Sequence, residues 1–157
     1  MRLVLLLTLA MLAVALSVSA QSVNWIQYIN PTDWADYAHG VCIFGDNLVV
    51  VGIASSSWRK FVTLLEITTG KVVKTWIGGD GKFDNCLSVS HRLYTVGYTG
   101  VYVFDRELNV VKNFETDWHP QAVTFDGSYL YLTGDIWRDV DGDGRNEEIW
   151  RIEKRTL

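Results

Sequence analysis

The stretch Gln121-Ala122-Val123-Thr124-Phe125-Asp126-Gly127-Ser128-Tyr129-Leu130-Tyr131-Leu132-Thr133-Gly134 sets the reading of the chain. A short apolar strand leads through a polar Asp-Gly-Ser turn into a second strand, which glycine closes. A short apolar run bounded by turn residues marks a strand, and a tight polar turn between two such runs marks a hairpin. The pattern recurs. Ala38-His39-Gly40-Val41-Cys42-Ile43-Phe44-Gly45-Asp46-Asn47 leads into Leu48-Val49-Val50-Val51-Gly52. Asn85-Cys86-Leu87-Ser88-Val89-Ser90-His91-Arg92 leads into Leu93-Tyr94-Thr95-Val96-Gly97. Asp46-Asn47 and Asp126-Gly127-Ser128 supply residues that tolerate the positive φ of a tight turn.

A third strand follows in each copy: Phe61–Ile67, Val101–Asp105 and Ile149–Lys154. In the first two copies a turn then leads to a fourth, Val72–Ile77 and Val110–Phe114. No window carries helical periodicity, so the chain reads as all-β. The closing glycines Gly52, Gly97 and Gly134 stand 45 and 37 residues apart, the period of propeller blades. The expectation is a propeller-like array of about three four-stranded antiparallel blades, with repeats at about 38–81, 82–118 and 119–157.

The two ends complement each other. No fourth strand follows the third copy, while Ser22–Ile29 precedes the first, and its Trp25-Ile26 matches Trp76-Ile77 of the first copy's fourth strand. The third blade is therefore expected to be divided between N- and C-terminal strands. Propellers close their rings by sharing a blade between termini, which removes exposed edges. Three blades are fewer than the usual four to eight. Two completions stand open: a homodimer forming a six-bladed ring by exchange of N-terminal strands, or additional blades from a missing segment.

Residues 1–20 read as a signal peptide. Met1-Arg2 is positive, Leu3–Leu16 is apolar apart from Thr8, and Ser17-Val18-Ser19-Ala20 ends in small residues at a peptidase site. The apolar run is shorter than the roughly 20 residues that span a bilayer. Cleavage after Ala20 leaves a repeat domain at 21–157 and a secreted or cell-surface protein. Without cleavage the segment is a membrane anchor. Loss of Arg2 takes the net charge from −4 to −5, which excludes a general nucleic-acid binder. Seven Trp, seven Tyr and six Phe suit strands and wide sheet contacts. Cys42 and Cys86 occupy near-equivalent repeat positions, where a small apolar residue would pack equally well, and an exported compartment permits a disulfide.

The sequence resembles the secreted propeller repeats of the seven-bladed type found in bacterial and archaeal surface proteins. The resemblance rests on Ala122–Gly134, which follows that family's order of apolar strand, Asp-Gly and apolar strand closed by Thr-Gly. It covers about residues 22 to 157 in degenerate form. It implies a propeller fold, and the number of copies departs from a complete single-chain ring.

Asp139-Val140-Asp141-Gly142-Asp143-Gly144-Arg145-Asn146-Glu147 has the spacing of a calcium loop. Oxygens at positions 1, 3 and 5 converge, glycine at position 6 allows the sharp turn, and the carbonyl at position 7 adds a ligand. The expected ligands are Asp139, Asp141, Asp143, the carbonyl of Arg145, and Glu147. Trp150 stands where an EF-hand needs its bidentate carboxylate, so the loop is of a shorter kind that resembles calcium hairpins in integrin-type propellers. Without a cation the aspartates repel one another. The expected role is to pin a hairpin inserted between the third copy's second and third strands.

Asp33, Asp36, His39, Asp84, Asp117 and His119 all precede first strands. With Trp34 and Trp118 they are placed to line a pocket suited to sugar binding or hydrolysis. No pair has diagnostic spacing, and turn residues with satisfied backbone bonds are the simpler reading. His91 belongs to a hairpin turn. Ser55-Ser56-Ser57 lacks the glycines of a nucleophile elbow. The sequence assigns no catalytic residue. It points to a non-enzymatic exported binding or scaffolding module with a carbohydrate or protein ligand. The alternative is a subunit or fragment of a propeller glycosidase or lyase acting on polysaccharide.

Overall fold

The structure is a computed structural model that describes residues 26–29, 31–32, 36–54 and 57–156. The expected signal peptide, residues 22–25 of the expected N-terminal strand, and Asp33, Trp34, Ser55 and Ser56 lie outside the described residues. Residues 26–29, expected as the end of that strand, carry no strand pairing.

Eleven strands form three antiparallel sheets among the described residues. Sheet one contains β1 (Asp36–Phe44), β2 (Asn47–Ala54), β3 (Arg59–Glu66) and β4 (Val72–Asp80), in that order. Sheet two contains β5 (Phe83–Val89), β6 (Arg92–Gly97), β7 (Gly100–Phe104) and β8 (Val110–Glu115). Sheet three has β9 (His119–Phe125), β10 (Tyr129–Arg138) and β11 (Glu147–Thr156), with β10 in the middle. The first hairpin turns on Gly45-Asp46, with Gly45 at φ 61, in place of the expected Asp46-Asn47. Ser90 and His91, at φ 47 and 65, form the second turn and lie exposed.

The sheets stack through their first strands. β1 lies against β5, and β5 against β9; β2 also touches β5, and β6 touches β9. Alternation divides each second strand between two faces. Val49 and Val51 of β2 face sheet two, packing with Phe83, Cys86, Leu93 and Phe104. Tyr94 and Val96 of β6, at the same repeat positions, face sheet three and pack with Leu130 and Leu132. Sheet two thus has a back face toward sheet one and a forward face toward sheet three; sheet one meets it with its forward face and sheet three with its back face.

This geometry decides the cysteines. Cys42 pairs with Val49, whereas Cys86 pairs with Thr95, one repeat position later than Tyr94, the equivalent of Val49. A one-residue offset in a strand moves the side chain to the other face. Cys42 therefore points forward from sheet one and Cys86 back from sheet two. Their Cα atoms are 5.9 Å apart and a disulfide joins them across the interface. The bond closes a 44-residue separation, worth about 4 kcal/mol in the chain-entropy account. Such bonds persist in oxidising compartments. The small-apolar-residue alternative is thereby replaced by a covalent clamp.

A buried lysine sits at the same interface. The sequence pattern began the third strand at Phe61, but β3 starts at Arg59 and carries Lys60 into the core. Lys60 Nζ donates to the Asp80 carbonyl and to Thr99 Oγ1 (3.0 Å), and lies 5.1 Å from the Tyr102 ring centre. Burial lowers its pKa, opposed by the nearby Asp80 carboxylate. These bonds and the aromatic face satisfy an ammonium that would otherwise be too costly to bury.

Candidate functional site

Each first strand carries one extra residue opposite its second strand. Ala38 pairs with Gly52 and Gly40 with Val51, leaving His39 unpaired. Phe83 pairs with Gly97 and Asn85 with Val96, leaving Asp84. Pro120 pairs with Gly134 and Ala122 with Thr133, leaving Gln121. A bulge of this kind bends a strand and re-aims a side chain. It also explains the closing glycines. A Cβ on Gly52, Gly97 or Gly134 would lie 1.9, 2.0 or 1.9 Å from the carbonyl oxygen of Tyr37, Lys82 or His119. No side chain fits that approach.

The three bulged residues join one polar chain. His39 Nδ1 is 3.7 Å from Asp84 Oδ1. Lys82 Nζ lies 2.8 Å from the same oxygen. His119 Nε2 is 2.6 Å from Asp84 Oδ2, and its Nδ1 is 3.7 Å from Asp135 Oδ1. Gln121 Nε2 donates to Asp135 Oδ1. One imidazole thus stands between two carboxylates. Burial works against the charge on Asp84, but hydrogen bonds from His119 and Lys82 outweigh it and hold the carboxyl below its ordinary pKa.

A cavity of about 410 Å3 opens beside this chain, between sheets two and three. Tyr98, Trp118 and Trp137 form aromatic walls, and His119 and Asp135 supply polar groups. Tyr98 packs edge-on to the His119 ring at 5.7 Å. Asp117 also lines the cavity, while its carboxylate takes a 3.2 Å contact from Arg151. Trp118 is held by Nε1–H donation to Glu153 Oε2 at 3.1 Å. The structure therefore brings together His39, Asp84, His119, Asp117 and Trp118 of the sequence candidates. His39, Asp84 and His119 lie within strands, not in turns, because the bulges start inside β1, β5 and β9. Asp36 binds the Thr32 amide and hydroxyl instead, each at 2.8 Å. Lys82, Gln121 and Asp135 were missed, although Gln121 holds the repeat position of Asp84.

The acidic loop joins β10 to β11. Asp139, Asp141, Asp143 and Glu147 each place a carboxylate oxygen within 4.8 Å of the others. Backbone amides shape the loop: Gly142 and Gly144 donate to Asp139 at 2.6 and 2.9 Å, and Arg145 donates to Asp143 at 2.8 Å. Gly142 and Gly144 take φ 82 and 85, a region that favours glycine. This cluster could hold a metal ion. The fifth expected ligand, the Arg145 carbonyl, belongs to the same loop.

No known family model matches the chain, and no curated protein does. The crystal structure of the computationally designed Ika8 protein is similar at 12% identity and a TM-score of 0.46, over 76% of this chain and 46% of that one. The chain spans less than half of that protein's length. Among the described residues, no helix is long and apolar enough to cross a membrane.

Asp84 predicts an acid-limb signature. Its folded pKa is depressed, so the unfolded chain takes up the proton first as pH falls. The stabilisation is complete well above the ordinary value of about 3.9 and is lost as pH falls through the lower folded value. Asp84→Asn should lower stability by about 1.5–3 kcal/mol at pH 7, and the gap to the parent should shrink below about pH 4. Urea melts across a pH series check this; an equal gap at all pH values contradicts it.

Proposed function

We propose that this is an exported, propeller-type binding module that takes a carbohydrate ligand in the cavity bounded by Tyr98, Trp118 and Trp137. The observation that carries the reading is the pairing of the exposed rings of Tyr98 and Trp137, backed by the buried Trp118, with ordered polar groups at one end of the first strands. Aromatic faces suit the apolar sides of a pyranose, and His119 and Asp135 suit its hydroxyls. The stacking of first strand on first strand supports the propeller assignment. The disulfide and the signal-like N-terminus support export.

Binding is favoured over hydrolysis by how the carboxylates are used. A glycosidase needs two carboxyl groups flanking the scissile bond across a gap of about 5 to 10 Å. Here Asp84 and Asp135 both turn onto His119, which fills the space between them. A panel of oligosaccharides titrated calorimetrically should give saturable binding for at least one glycan. Trp137→Ala should weaken it at least tenfold, about 1.4 kcal/mol. Absence of binding across the panel overturns the ligand class, and release of reducing ends favours the polysaccharide enzyme.

The acidic loop is assigned a structural calcium. Its donors are all hard oxygens, and the 4.8 Å spread is close to twice the calcium–oxygen distance of about 2.3–2.6 Å. Asp139, Asp141, Asp143, Glu147 and the Arg145 carbonyl would hold the ion, which pins the β10–β11 hairpin. Calcium at a hundredfold excess over its dissociation constant should stabilise the fold by about 2.7 kcal/mol, and Asp141→Ala should abolish the effect. No thermal shift with excess calcium rejects the site.

A further inference from the structure

We propose that a second copy of this chain covers the forward face of the third sheet with its own first sheet, and that two copies close head to tail into a ring of six sheets. The proposal rests on the blade reading above and is independent of the ligand.

The repeat itself identifies the partner surface. Val62 of β3 pairs with Val51, and Val101 of β7 pairs with Val96, so both occupy one repeat position on a forward face. The next sheet covers them, leaving 0% and 1% exposed. Ile152 of β11 pairs with Thr133 and is their equivalent, yet it is 78% exposed. Trp150 stands beside it on the same face, also exposed. A position built as a buried valine twice is a large open isoleucine where no next sheet lies among the described residues.

The complementary surface is at the other end of the stack. At both internal interfaces the later sheet meets the earlier one chiefly through its first strand, β5 or β9. Cys86 of β5 and Val123 of β9 are the back-face residues there. Val41 of β1 holds the same position, and Ile43 lies two residues on along the same face. Both are 61% exposed. Phe61, Thr63 and Leu65 on the outer part of that face are covered, so the opening is confined to β1, the strand that makes most of such an interface. The forward face of sheet three is thus open at Trp150 and Ile152, and the back face of sheet one is open over β1.

Among the described residues of one chain the two open faces do not meet, and two chains can cover both. The contact is heterologous, and the rotation closes when six sheets complete the circle, within the usual four to eight of a propeller. Closure also removes two apolar patches from water.

Sedimentation equilibrium of the purified protein, without ligand, tests this. The expected mass is twice that of the chain. Ile152→Glu on the forward face and Val41→Glu on the back face should each weaken the dimer at least a hundredfold while leaving the circular dichroism unchanged. An equimolar mixture of the two variants should recover dimer, because one of its two interfaces joins two unaltered faces. A monomer at all concentrations overturns the proposal. So does an open ladder of larger species, or a dimer that Ile152→Glu dissociates and Val41→Glu leaves intact, since that dimer would be joined forward face to forward face. None of these outcomes bears on glycan binding, which is read separately.

Discussion

The period of two in a strand imposes the order on which this protein depends. Successive side chains leave a strand on opposite faces, so sheet two owns one face for the repeat before it and another for the repeat after. Val49 and Val51 meet Cys86 and Leu93; Tyr94 and Val96 meet Leu130 and Leu132. The same alternation, offset by one residue between Cys42 and Cys86, aims two sulfurs at each other across the first interface. Lys60 adds a polar tie there, reaching Asp80 of its own sheet and Thr99 of the next.

Regular pairing would carry no site. The polar chain exists because each first strand breaks register once, at His39, Asp84 and Gln121, beside a glycine that lets the backbone close in. The bulges put equivalent residues of three repeats at one end of the stack. The identity of those residues and of their neighbours Tyr98, Trp118 and Trp137 then decides what that end of the stack presents. The charge on Asp84 is kept by its hydrogen bonds with His119 and Lys82 despite burial.

Much of the architecture was legible because it rests on local patterns. Hairpins, apolar second strands and closing glycines read directly from Leu48–Gly52, Leu93–Gly97 and Leu130–Gly134. The acidic loop was legible for the same reason, since its donors are neighbours in sequence. The bulges were not, because a register shift depends on the partner strand and leaves no signature in a single strand. Lys60 was hidden because a lysine before Phe61 looks like a solvated strand end, and its burial is made tolerable by the ring of Tyr102, the Asp80 carbonyl and the Thr99 hydroxyl, all distant in sequence. Asp84 and His119 looked like turn residues when read apart. Their meeting across 35 positions needs the stacking of sheet two on sheet three.

The central claim is that the forward face of sheet one packs on the back face of sheet two. Peptide mapping of the native, unreduced protein by mass spectrometry tests it most directly. The account predicts one linked pair of peptides, containing Cys42 and Cys86 from the same chain, and no thiol open to alkylation. Two alkylated cysteines in the native protein, or a cystine joining two chains, would contradict it.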